Sequence, residues 1–281
     1  MLSRRGFLEF SLTAATGFAA TRLLAAEHRP VGVQLYTVRQ DAARDLPAVL
    51  AAIRQVGYSE VETYWDIYNH PAAELRRMIA DHGLSVPSGH FDYQGLESKI
   101  EYAKLLGVEY VICPILPESM WFTLDAYKQA ADQFNRWGEQ IRQAGMQFGF
   151  HNHNYEFRRF GDTTGFETLM KRCDPKLVCI EMDCYWITQA GLDSLQMFRQ
   201  YGDRIKLLHL KDRKPGFPAT QVKDATAEHF TEVGAGTIHW LEILAAAKKN
   251  GVNHMFVERD SGDLPAMESL RISFRNLRKM Q

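Results

Sequence analysis

The chain lacks an excess of either charge: 33 Lys and Arg stand against 34 Asp and Glu in 281 residues. That balance excludes the basic field that drives binding to nucleic acid or to an anionic membrane, so the expected partners are small molecules. No stretch reaches the roughly 20 consecutive apolar residues of a membrane span, so no membrane anchoring is expected. Cysteine is sparse, and Cys113, Cys173, Cys179 and Cys184 sit in or beside apolar segments. Buried free thiols are therefore expected rather than a disulfide framework. A glycine-rich dinucleotide loop is missing as well: the first apolar strand is followed by Leu35-Tyr36-Thr37-Val38, which disfavours an open nucleotide-binding sheet. There is no dense Arg/Lys phosphate clamp. Val233-Gly234-Ala235-Gly236 could offer backbone N–H groups to an anion, though it reads first as a plain turn.

What is present is a chain 46% hydrophobic and 24% charged, enough for one large core or two modest domains. Its first 26 residues form a separate object. Ser3-Arg4-Arg5-Gly6-Phe7-Leu8 precedes a mildly apolar, Ala/Thr-rich run to Ala26, and the arrangement resembles a twin-arginine export signal. The expectation is a periplasmic protein delivered folded by that route, with residues 27–281 as the mature domain.

From residue 31 one phrase recurs: an amphipathic helix, a glycine, then a short apolar strand. The joins are IRQVGYSEVE, IADHGLSVPSG, AKLLGVEYVI, IRQAGMQFGF and AKKNGVNHMF. In each, glycine suits the left-handed residue that closes a helix. With VGVQLY, LVCIEMD and IKLLHLK this predicts strands near 31–36, 58–64, 84–90, 108–114, 146–153, 178–184, 205–211 and 254–260. Strands alternating with helices, without a linker or composition break, predict a single-domain (β/α)8 TIM barrel of the α/β class.

In such a barrel side chains alternate in and out along each strand, and active sites lie at the C-terminal strand ends. If the large apolar residues face the helices, the inward set is Gln34 and Tyr36, Glu62 and Tyr64, Ser88 and His90, His151 and His153, Glu181 and Asp183, His209 and Lys211, and Glu258 and Asp260. One inward imidazole is ordinary core. Strand after strand ending on polar groups predicts a site. Asp183, His209 and Glu258, with a further ligand from strand five, make an oxygen-rich set that suits one divalent ion, Mn²⁺ first and Mg²⁺ or Co²⁺ as alternatives.

The phrases GFHNHNYEF, EMDCYW, AGLDSL, LLHLKD, EVGAGTIHW and FVERD resemble the xylose-isomerase-like TIM-barrel superfamily, in the sugar phosphate isomerase/epimerase branch. The resemblance implies a metal held by Glu, Asp, His and Glu from strands five to eight. Asp183, His209 and Glu258 match those positions. The first does not, because His151 stands where the pattern has Glu. Either Glu156 curls back to supply the carboxylate or His151 binds the ion; the reading adopted takes Glu156 as ligand and keeps His151, His153 and Lys211 as proton-moving groups. Tyr36, Glu62, His90 and Trp186 are the expected substrate contacts.

An ion beside free imidazoles is suited to removing a proton next to a carbonyl. The leading expectation is a sugar isomerase or epimerase acting on an unphosphorylated keto-sugar. The alternatives are a lyase or hydratase of the same superfamily acting on 3-keto-glycosides, and a non-catalytic periplasmic carbohydrate-binding protein.

Overall fold

In a computed structural model of the chain, residues 29–223 and 229–280 are described; the proposed export segment, residues 1–26, lies outside them. Each predicted join closes a helix with a left-handed glycine, for example Gly57 at φ 119° and Gly107 at φ 86°. At Gly107 the backbone N–H donates to the carbonyls of Ala103 and Lys104 and ends the helix, a conformation that a Cβ would oppose.

The strands are β1 (Gly32–Gln34), β2 (Glu60–Thr63), β3 (Ser85–His90), β4 (Tyr110–Cys113), β5 (Gln147–His151), β6 (Val178–Asp183), β7 (Ile205–Leu210) and β8 (His254–Val257). All pair in parallel, and β8 returns to β1 with Gly32 opposite Phe256, which closes the barrel. The helices around it include α1 (Arg39–Val56), α2 (Ala72–Asp81), α3 (Ile100–Leu106) and α4 (Leu124–Gln143) in the first half. The second half adds α5 (Gly165–Arg172), α6 (Cys184–Gln189), α7 (Ser194–Tyr201), α8 (Trp240–Lys249) and α9 (Ala266–Arg278). No helix among the described residues is long and apolar enough to cross a membrane, and all four cysteines are buried and free.

Strands end earlier than the apolar pattern predicts. Tyr36, Tyr64, His153, Lys211, Glu258 and Asp260 all lie beyond the last ladder residue of their strands. At these C-terminal ends the chain leaves the ladder to build loops, so the polar ends of the predicted strands become the rim of the site. Parity survives the shortening. Phe148 and Phe150 pack outward on Phe134 of α4 at 5.0 and 5.2 Å, and burying each ring contributes about 2–3 kcal/mol. Inward, Tyr110, Ile112, Cys179, Leu207 and Phe256 form a separate apolar plug. Gly149 lies against it, where a Cβ would come within 2.6 Å of Ile112.

A candidate metal centre at the barrel mouth

Above that plug, the inward side chains of β2, β3, β5, β6 and β7 and the loop after β8 converge on two groups of donor atoms that share His209. The upper group is Asp183, His209 and Glu258; the lower is His90, His151, Glu181 and His209; all are buried, and within each group the donor atoms lie within 4.8 Å of one another. Asp183 ends β6 and caps α6, with Oδ1 accepting the Trp186 N–H at 2.9 Å. Its backbone N–H donates to Asn152 Oδ1 at 3.1 Å, which ties β6 to the strand-five loop. Asp183 Oδ2 has no hydrogen-bond partner among the described residues. It faces Lys211 Nζ at 3.2 Å and His151 Nε2 at 3.7 Å. Glu258 Oε2 lies 2.7 Å from His209 Nδ1 and 2.8 Å from Lys211 Nζ.

The electrostatics follow from burial and crowding. Burial alone would raise Glu258, but Lys211 and His209 outweigh it and hold the carboxylate well below its ordinary range. Burial opposes the charge on Lys211; Asp183, Asp260 and Glu258 more than restore it. His151 and His153 go the other way. Burial, then the charges of His209 and His90, hold His151 neutral, while burial with Lys223 and Lys211 does the same for His153. Asp260, 2.8 Å from Lys211, is pushed up by burial to about 6.

These residues fit a divalent ion. A buried carboxylate oxygen that meets Lys211 as an ion pair without a hydrogen bond, a second carboxylate and an imidazole Nδ1 share a space whose charge Lys211 now balances, and hard or borderline cations take that donor set. A cavity of about 430 Å³ opens beside them, walled by Tyr36, Arg39, Trp65, His90, His151, His153, Trp186, Lys211, Glu258 and Asp260 among others. Of the expected proton-moving groups, His151, His153 and Lys211 all face it. Of the expected substrate contacts, Tyr36, His90 and Trp186 do so too.

Two expectations need correction in geometry. Glu156 does not join the converging donors: it sits in the turn Tyr155–Phe157, fully buried, with Oε2 accepting the His153 N–H at 2.9 Å. That local bond ties one carboxylate oxygen to its own loop. Glu62 does not line the cavity either. It lies fully buried beneath His209, held by Gln34 at 2.7 Å and Ser88 at 2.5 Å. The sequence reading also passed over Arg39, whose guanidinium lies 4.1 Å from the Tyr36 ring centre and donates to the Tyr36 and Asp260 carbonyls at 2.8 Å each. Its place just after a strand end was the available signal. The Gly234 and Gly236 N–H groups both donate to Asp212, at 2.8 and 3.1 Å, so that turn is committed internally.

The sequence pattern of the family described as the xylose isomerase-like TIM barrel matches residues 50–280. The chain belongs to that family. Among solved structures, a sugar phosphate isomerase/epimerase from Parabacteroides distasonis is 26% identical with a TM-score of 0.74, over 90% of this chain and 94% of that one. A structure of the IOLI protein with a bound zinc atom shares the fold at 16% identity and a TM-score of 0.69, over 89% and 97% of the two chains. An inosose dehydratase of Lacticaseibacillus casei is 30% identical over 46% of this chain and 45% of its own length. The match thus spans less than half of that relative. A second inosose dehydratase, from Mesomycoplasma hyopneumoniae, is 22% identical over 82% of this xylose isomerase-like chain and 87% of its own length.

Proposed function

We propose that the chain is a metal-dependent lyase that removes the proton beside the ketone of an unphosphorylated keto-sugar or keto-polyol and expels the β-oxygen substituent. The observation that carries this reading is His153. Its ring borders the cavity together with His151, Lys211 and Glu258. It lies 5.0 Å from the Trp186 ring, its Nδ1 has no partner among the described residues, and burial keeps it neutral. A neutral, uncommitted imidazole is a base that can take a proton from carbon and return it to a departing oxygen. A divalent ion held by Asp183, His209, Glu258 and a strand-five donor would polarise the ketone and acidify the adjacent C–H. With His151 as that donor, the two imidazoles move the preference from Mg²⁺ toward Mn²⁺ or Co²⁺.

Elimination is favoured over epimerisation because an epimerase needs free proton carriers on both faces of one carbon. The carboxylates on the cavity wall, Glu258 and Asp260, are each 2.8 Å from Lys211, and Glu62 is sealed beneath His209. Relatives named inosose dehydratase support the same outcome. A second reading, isomerase or epimerase, is favoured by the 26% identical sugar phosphate isomerase/epimerase. The commitment of the Gly234 and Gly236 amides to Asp212 argues against a phosphate there.

The test is to incubate Mn²⁺-loaded protein in D₂O with keto-cyclitols, 3-keto-glycosides and ketoses, following deuterium at carbon and release of water or aglycone together. Release supports the lyase. Exchange without release supports the second reading, and neither on any compound leaves a binding protein and refutes both. We further propose export to the periplasm through residues 1–26. Retention of an Arg4→Lys, Arg5→Lys fusion in the cytoplasm supports this, and export equal to the parent's refutes it.

A further inference from the structure

Three members of the buried cluster have no part in the chemistry above: Glu181 and His90 of the lower group, and Glu62 beside them. They touch His209 and His151 from below. Glu62 Oε2 lies 2.6 Å from His209 Nε2, and Glu181 Oε2 lies 3.0 Å from His151 Nδ1. The other nitrogen of each ring faces upward: His209 Nδ1 is 2.7 Å from Glu258 Oε2 and His151 Nε2 is 3.7 Å from Asp183 Oδ2.

We infer that Glu62 and Glu181 are positioning residues that fix the tautomers of His209 and His151, so that His209 offers Nδ1 and His151 offers Nε2 to the ion and His151 fills the strand-five place in the ligand set. The inference rests on the metal reading above. A neutral imidazole carries one N–H, and an ionised carboxylate can only accept. Once an imidazole is neutral, as a metal ligand must be, whichever ring nitrogen meets a fixed, ionised carboxylate keeps the remaining proton, and its opposite presents a lone pair.

Both carboxylates are fixed. Glu62 accepts from Gln34, Ser88 and His209 and is fully buried. Glu181 is fully buried and bound by His90 at 2.7 Å as well as by His151. Glu258, the rival acceptor for His209, stands on the cavity wall within reach of Lys211. The grip on the rings is thus firmer from below than from above. An amide in place of either carboxylate can donate as well as accept. In Glu62→Gln the amide oxygen would keep the Oε2 position, where Gln34 and His209 both donate, but it is uncharged, so its hold on the Nε2 proton weakens and the proton can move to Nδ1, where an ion must bind.

The experiment measures Mn²⁺ affinity and bound metal per chain for the parent, Glu62→Gln, Glu181→Gln, His151→Ala and Ser88→Ala. Long-range ¹H–¹⁵N spectra of histidine-labelled parent are recorded in parallel, without metal and with diamagnetic Zn²⁺. One ion per parent chain is expected, with roughly 10- to 100-fold weaker binding in Glu62→Gln and Glu181→Gln, the usual cost of losing a ligand's outer carboxylate. His151→Ala should lose the ion. Ser88→Ala, which frees only the Oε1 side of Glu62, should stay within a few fold of the parent. The loaded parent should show His209 ligated through Nδ1 with N–H at Nε2, and His151 ligated through Nε2 with N–H at Nδ1. The spectra judge the inference even if a glutamine variant fails to fold.

Parent-like affinity in both glutamine variants overturns the inference, as does the reversed tautomer in the spectra. Two ions per chain, one of them lost in Glu181→Gln, would make the lower group an ion site and also overturn it. A parent that binds no divalent ion refutes the metal reading itself, a distinguishable failure.

Discussion

Glu156→Gln separates a buried acid from a metal ligand. Glu156 is fully buried; Oε2 accepts one backbone N–H, and Oε1 has no partner among the described residues. No ion pair to it is formed within that set. Burial pushes its carboxyl up to about 8, with backbone N–H groups, the Tyr155 side chain and Lys223 recovering only part of the cost. In the unfolded chain a glutamate ionises near 4.3. Between those values the unfolded state binds fewer protons than the folded one, so stability falls as pH rises from about 4 to about 8 and is flat beyond. At about 1.4 kcal/mol per pKa unit the loss is on the order of 4–5 kcal/mol. Glutamine keeps the shape and the acceptor and cannot ionise. Urea denaturation of ion-free parent and variant at intervals between pH 4 and 9 should show near-equal stability at the acid end and a variant more stable by several kcal/mol at pH 8. Mn²⁺ affinity should stay within a few fold of the parent's. A stability difference independent of pH would refute the buried-acid reasoning, and loss of the ion in the variant would refute the placement of Glu156 outside the ligand set.

Lys211→Met removes the ammonium from three carboxylates at 2.8–3.2 Å; unpaired buried charge should cost about 3–5 kcal/mol in ion-free protein, and saturating Mn²⁺ should recover a large part, so an unchanged melting temperature without metal would contradict the charge balance described. At the other end of the barrel His254 Nδ1 lies 2.9 Å from Glu60. Burial lowers its pKa, but that carboxylate more than compensates and raises it. The pair's stabilisation should therefore be full below about pH 6.5 and fade as pH rises through the raised value; the stability gap between parent and His254→Gln should shrink in alkali, and a gap that widens would reverse the sign. Gly138 lets α4 approach the chain before β6, where a Cβ would lie 2.8 Å from the Leu177 carbonyl oxygen. Gly138→Ala should cost about 1–3 kcal/mol by overpacking, and a neutral denaturation midpoint would show that the contact gives way.

The barrel was legible because its signals are local. A helix, a left-handed glycine and a strand recur within a few residues of one another, and the two-residue alternation that sends Phe148 and Phe150 outward also sends His151 inward, whatever the rest of the chain does. Local alternation likewise placed Asp183, His209 and Glu258 on one rim. Distances around the closed ring are not local, and there the tertiary structure decided. Glu62 comes from β2 and His209 from β7, and only barrel closure sets them 2.6 Å apart, where the glutamate grips an imidazole instead of facing substrate. Glu156 carried the charge expected of a ligand, yet one hydrogen bond to the amide three residues earlier tied it to its own loop. Alternation says which face of the wall a side chain occupies; how far it reaches across the ring, and what meets it there, depends on closure and on the loops that follow the strands.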